Sequence, residues 1–439
     1  MTAEIAIMNK SAIVLAADSA VTIPLIGRDG QKNKIFNSAN KLFTLSKRAP
    51  VGLMVYGSAS LMGIPWETLV KLFRANLSDK WFNTLEEYTT AFFDFLNNND
   101  VFNELSDVYI MEIAVDVFQS IRKSIDDFVR QNASKEHPLT EADIVTVLND
   151  IIIKQSTDLD AKVKNSAISC EKRKELTSRY AEKISSCVPN VFENMPLSEE
   201  QKNKLIAIAI NAAGIGPTGQ SGIVFAGFGE KEIYPSCLDF DVRAVFGGNT
   251  IRYIKKQHRI SHNQPSIIAA FAQSDDVHTF MEGIGKPIGN FFSQALRLIL
   301  TKHFPEKLAD AVIEKLKMPA ENRKDVIEVA AEMGKGAYIE IIKEIDNIKR
   351  TIFVEPVVKA TSFLNKEELA TMAETLVNLV SFRKQVTLDA ETVGGPIDVA
   401  IITKGDGFIW IKRKHYFDPS LNHQFFKNYF FGDNKNGKE

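Results

Sequence analysis

Only three cysteines, Cys170, Cys187 and Cys237, occur in the 439 residues. Their wide spacing makes neither a disulfide framework nor a zinc knuckle, and their scarcity suggests a reducing compartment. Net charge is equally sparse. A formal value of −2 offers no basic footprint, so nucleic acid is not an expected partner. The longest apolar run, LIAIAINAAGIG at 205–216, is too short to span a bilayer, which argues against a membrane. The first residues lack the basic patch, apolar run and cleavage site of a signal peptide, so the cytoplasm is the expected location. The imidazoles of HRISH, His258 and His262, lack a zincin glutamate and a third ligand, and read as part of a surface helix. The glycine-rich GIGKPIG and GIGPTG lack the phosphate-cradling form and read as helix breakers. Neither a metal nor a cofactor is expected.

What is present comes in blocks. Residues 3–60 read as β, short apolar runs broken by NK, by PLIGRDGQKN and by SKRAP. From Leu61 to about Ala213 the pattern is helical. Thr84 with Glu87, and Ser198 with Gln201, stand three residues apart ahead of apolar stripes, the spacing of a capping box. Strand patterns return at SGIVFAGFG, EIYPSCLDFDVRAVFGG and PIDVAIITKGDGFIWIKRK. A second helical block, roughly 263–381, separates the last two. Strands, helices, strands, helices, strands in that order predict a segregated α+β fold.

The first sixty residues predict a shared site. If EIAIM and SAIVLAAD pair across an Asn9-Lys10 turn, Thr2 lies opposite Ala17 and Asp18 sits beside it. If KLFTLS and VGLMVYG pair across the loop KRAP, Lys41 lies opposite Tyr56, next to Gly57. A threonine hydroxyl at a chain start carries its own base in the α-amine, whose usual pKa of about 8 suits general-base work. A lysine beside the hydroxyl favours its ionised form, and a carboxylate keeps that lysine charged and oriented. A glycine N–H can serve the oxyanion. All of this requires removal of Met1, which threonine at position two permits.

In these features the chain resembles the proteasome β-subunit family of N-terminal-nucleophile hydrolases, whose simplest bacterial members lack a propeptide. The resemblance implies a four-layer αββα sandwich as one domain. Its core would take in approximately 2–65, 215–260 and 380–415, with helical insertions at about 66–214 and 262–380 and a tail at 416–439. The family's nucleophile matches Thr2, its aspartate Asp18 in LAADSA, its lysine Lys41 in NKLFTL. Its oxyanion and substrate-strand element matches Gly57, Ser58 and Ala59 in YGSAS, and its backbone-binding threonine matches Thr22. The turn VFGGNT places Gly248 or Asn249 where the family has a supporting serine. DAETVGGPIDVAIIT resembles the family's Asp-x-x-Ser-Gly-Gly entry, with Asp389 and Thr392 one residue early and Ala390 and Val393 at the aligned positions.

The resemblance thus implies a threonine-type peptidase acting on extended peptides held by backbone pairing, with Thr2, Asp18, Lys41, Gly57, Asn249 and Asp389 as catalytic or supporting residues. Thr22, Ser58 and Ala59 would bind substrate. It also implies a homo-oligomer, with an unfoldase as a candidate partner. Two alternatives remain at this point: an amidase or acylase on a small amide, and a silent scaffold subunit.

Overall fold

The computed structural model describes residues 3–27, 30–132, 140–164, 166, 168–193, 195, 197–219, 221–387, 393–415 and 417–431. The chain opens with β1 (Ala3–Asn9), β2 (Ala12–Ala17), β3 (Val21–Gly27), β4 (Gly30–Phe36), β5 (Leu42–Thr44) and β6 (Val51–Gly57), then two-residue strands β7 (Ser60–Leu61) and β8 (Ile64–Pro65). Helices α1 (Trp66–Leu77), α2 (Leu85–Asn97), α3 (Asp100–Asn132), α4 (Glu141–Val163), α5 (Cys170–Phe192) and α6 (Glu199–Ile215) follow. Next come β9 (Ser221–Gly227), β10 (Ser236–Phe246), β11 (Asn249–Arg259) and β12 (Ser266–Ala272). A second helical run holds α7 (Asp275–Glu282), α8 (Lys286–Leu298), α9 (Phe304–Leu316), α10 (Arg323–Ile348), α11 (Glu355–Thr361) and α12 (Lys366–Val386). The chain closes with β13 (Asp398–Thr403), β14 (Gly407–Lys412) and α13 (His423–Phe431). This is the expected α+β class, with antiparallel sheets. No helix among the described residues is long and apolar enough to cross a membrane.

The chain divides into two compact units, Met1–Leu42 with Arg259–Glu439, and Phe43–His258. In the first, five strands lie in the order β12-β1-β2-β13-β14. Alternation along the strands turns Ala3, Ile5 and Ile7 of β1 and Val14 and Ala16 of β2 toward one face. There they meet Leu369, Ala373, Leu376 and Val380 of α12, a stripe at helical spacing. Asn365 and Glu368 close a full capping box at the start of α12.

Three details of this unit differ from expectation. The β1–β2 register pairs Glu4 with Ala17 and Met8 with Ile13, two residues away from the predicted one, so the turn falls on Lys10-Ser11. Asn9 explains it: its Oδ1 accepts from Ser11 N–H at 3.0 Å and Ala12 N–H at 3.2 Å, an Asx turn that moves the reversal one residue along. Of PLIGRDGQKN, read as a loop, residues 24–27 lie in β3 and residues 30–33 in β4, which pair with each other. Strand β12 lies within the stretch read as helical and pairs with β1 along its whole length. Its SIIAAFA is a continuous apolar run, which periodicity alone does not assign.

In the second unit the sheet order is β11-β10-β9-β6-β5. The β5–β6 loop closes with Leu45 N–H donating to Val51 O at 3.0 Å, whereas the predicted register paired Leu45 with Gly52. Ser46 Oγ tightens that loop by accepting from Arg48 and Ala49 N–H. Phe92 and Phe93 of α2 meet Phe225 and Phe240 of the sheet edge to face, with ring centres 5.1–5.8 Å apart. Thr84 caps α2 and Ser198 caps α6, as expected. HRISH runs out of β11 rather than along a helix, with His258 inside the strand.

In the first unit, α8 and α9 run on through a π-helical turn at Ile299–His303 and pack against α10. At the crossing a Cβ on Gly334 would lie 2.0 Å from the Leu300 carbonyl oxygen. Gly-to-Ala in a helix interior ordinarily stabilises by roughly 0.5–1 kcal/mol. Here Gly334→Ala is expected to destabilise instead, by about 1–3 kcal/mol as overpacking does, read as a lower thermal midpoint. An increase in midpoint would refute the close approach.

Candidate active site

Asp18 follows the last residue of β2, and the hairpin brings it back to the start of β1. Its N–H donates to Ala3 O at 3.2 Å, and its Oδ1 accepts from Ala3 N–H at 3.0 Å. Its Oδ2 accepts from Ala20 N–H at 3.3 Å and from Gly394 N–H at 3.0 Å. Lys41 Nζ reaches Oδ1 at 2.5 Å. Each carboxylate oxygen thus holds two donors, which is how a group exposed by only 1% meets its hydrogen-bonding demand.

Lys41 is itself buried, its side chain 5% exposed, and a second carboxylate approaches it: Glu4 Oε1 lies 3.3 Å from Nζ, with the Glu4 side chain fully buried. Sequence reasoning missed Glu4. The available signal was a lone acidic residue in the strand AEIAIMN, all of whose positions are buried. Ser19 was also missed. Its N–H donates to Gly394 O at 3.2 Å and its hydroxyl to Pro396 O, so the segment after β2 and the turn before β13 hold each other.

Of the expected site residues, Asp18 and Lys41 come together, and they gather Ala3, Glu4 and Gly394 around them. Thr2, Asp389, Ala390 and Thr392 lie outside the described residues. Thr22 sits in β3, with its Oγ1 buried and without a hydrogen-bond partner among the described residues. Gly57, Ser58, Ala59 and Asn249 belong to the second unit. Gly57 ends β6 at φ +81°, a left-handed backbone that suits glycine. Ser58 Oγ donates to Ser60 O at 2.9 Å, and Ala59 O accepts from Trp66 N–H at 3.1 Å. Asn249 opens β11, its side-chain amide donating to Gly247 O at 3.2 Å.

Beside Gly57 in the chain, Tyr56 donates its hydroxyl proton to Asp239, 2.8 Å from Oδ1, and accepts from Lys255 Nζ at 3.1 Å. Burial, the largest influence, raises the Asp239 carboxyl above the ordinary range, opposed by the Tyr56 bond and the charges of Lys255 and Lys256. A folded state that holds this proton more tightly than the unfolded chain loses stability as pH rises from the unfolded value toward the folded one. Asp239→Asn should therefore flatten that part of the curve, which begins near pH 4. Urea midpoints of both proteins between about pH 3 and 6 would check it; parallel curves would count against it.

Lys41 and its two carboxylates make a sharper test. Removing one partner from a buried ion pair costs about 3–5 kcal/mol, so Lys41→Ala, which takes the ammonium away from two buried carboxylates, should lower urea stability by about that much. Glu4→Gln leaves Asp18 with Lys41 and should cost far less or stabilise. Equal losses in the two variants would contradict this arrangement.

No protein-family model matches the chain and no curated protein matches its sequence, so its function is inferred from the residues described above.

Proposed function

We propose that the chain is a threonine-type peptidase of the N-terminal-nucleophile class, acting through Thr2 once Met1 has been removed. The observation that carries this reading is the buried Asp18–Lys41 pair, hydrogen-bonded to the N–H of Ala3, the residue next to Thr2. An ammonium fixed there lowers the cost of ionising a hydroxyl. Lys41 Nζ donates to Asp18 Oδ1 and lies 3.3 Å from Glu4 Oε1, so its charge is held beside the start of β1.

In this mechanism the Thr2 α-amine accepts the hydroxyl proton, directly or through a water. Oγ attacks the scissile carbonyl, and the collapse of the tetrahedral intermediate breaks the C–N bond. The proton passes to the departing amine, and water then hydrolyses the ester. The oxyanion donor rests on the resemblance alone, which assigns it to Gly57. The four-layer αββα sandwich goes with this reading. Its support is that each five-stranded sheet is apolar on both faces, Ala6, Met8 and Leu15 in one and Met54, Val224 and Ala226 in the other, while among the described residues helices of the same unit pack on one of them. A cytoplasmic homo-oligomer acting on peptides belongs to the same proposal.

Glu4 favours a second reading, the silent scaffold, because a second buried carboxylate competes for the ammonium. Intact-mass analysis and a threonine-directed epoxyketone separate the two. The peptidase reading expects loss of Met1 and one adduct on Thr2, with labelling slowed roughly 10²-fold or more in Lys41→Met. A processed chain that takes no adduct would establish the scaffold instead.

A further inference from the structure

The helical hairpin of the first unit is built to be covered. One arm runs from Lys286 to Leu316 through the π-helical turn, the other from Arg323 to Thr361. At 1.5 Å per residue each arm is on the order of 45 Å long or more. Only a narrow seam is buried along most of that length: Pro305 and Ala309 on one arm, Ala330 and Gly334 on the other.

None of the residues of α8 is buried, yet the helix is strongly amphipathic. Ile288, Phe291, Phe292, Leu298 and Ile299 recur at spacings of three, four and seven, which places them on one face. All are exposed, Phe291 by 74%. The second arm adds Val329, Met333 and Ile352, with Met333 exposed by 72%.

The eight side chains named above present on the order of 900 Å² of apolar surface, at roughly 180 Å² for each if fully exposed. The largest apolar patch on an ordinary monomer is about 300–600 Å². A standard interface takes about 800 Å² from each partner. Residues 286–361 carry 13 lysines and arginines against 11 aspartates and glutamates, so they lack the basic excess that an anionic lipid surface selects.

We infer that this hairpin is the docking surface for a second copy of the chain. A two-fold contact lays the same apolar stripe against itself, so it is self-complementary in length and character. Two hairpins joined in this way form a four-helix bundle, which buries the exposed apolar face of each hairpin in addition to its seam. The inference deepens the homo-oligomer of the proposed function by naming its surface, and it is separable from the Thr2 chemistry. A chain that sediments as a monomer yet takes the epoxyketone adduct would overturn the docking alone.

Sedimentation of the full chain between about 0.1 and 10 µM, which brackets a Kd of about 1 µM, tests it. The wild type should sediment above the monomer mass, and Phe291→Glu with Met333→Glu should lower that mass, with dimerisation weakened at least tenfold. A monomeric wild type, or an unchanged mass in the double variant, would overturn the inference. So would flotation of the monomer with anionic phospholipid vesicles. Should the double variant lose its circular dichroism, hydrogen exchange on the wild type decides. Protection of 286–316 that rises with protein concentration supports docking, and concentration-independent exchange refutes it.

Discussion

A carboxylate that is almost wholly buried at the end of β2 constrains the first unit more than any other group. Taking the Asp18 charge out of water is costly unless donors replace the lost hydration. The donors come from residues 3, 20, 41 and 394. Three of these donors, from residues 3, 41 and 394, lie 15, 23 and 376 positions away and must reach their native positions together. The start of β1, the path of the chain into Lys41 and the glycine turn before β13 are tied to the same two oxygens. Glu4 tightens the arrangement and complicates it, because one ammonium now serves two carboxylates in a water-poor site.

The two helical blocks meet the hydrophobic requirement in different ways. In the second unit α3, α5 and α6 bury continuous stripes against one another, with Phe118, Ile121, Tyr180, Ile184 and Leu205 enclosed. In the first unit the hairpin closes only a seam of small residues, where Gly334 lets the backbones approach. A narrow seam permits close packing but leaves the larger side chains outside it. That is why apolar surface remains on α8 and α10 after the unit has folded.

Much of the fold was legible because its signals are local. Thr84 and Ser198 begin helices by accepting hydrogen bonds from N–H groups within one turn. The six helices between Trp66 and Ile215 follow from apolar stripes that each chain segment carries by itself. Strand β12 was not legible. SIIAAFA has no alternation, and only its pairing with β1 makes it a strand. The hairpin turn was misplaced by one residue because the Asn9 side chain, a short-range effect, competes with the dipeptide that a turn rule selects.

The sequence by itself determined the α+β class, the helical blocks, and the residue types around the candidate site, Asp18 and Lys41 above all. These depend on periodicity, on capping and on the order of chemical groups along the chain. Tertiary structure decided which of those groups meet. Glu4 joins Lys41 and Gly394 joins Asp18 through contacts that cross as many as 376 positions. No local pattern encodes such contacts. They exist because buried charges and unpaired amides must find partners, and only the folded chain supplies them.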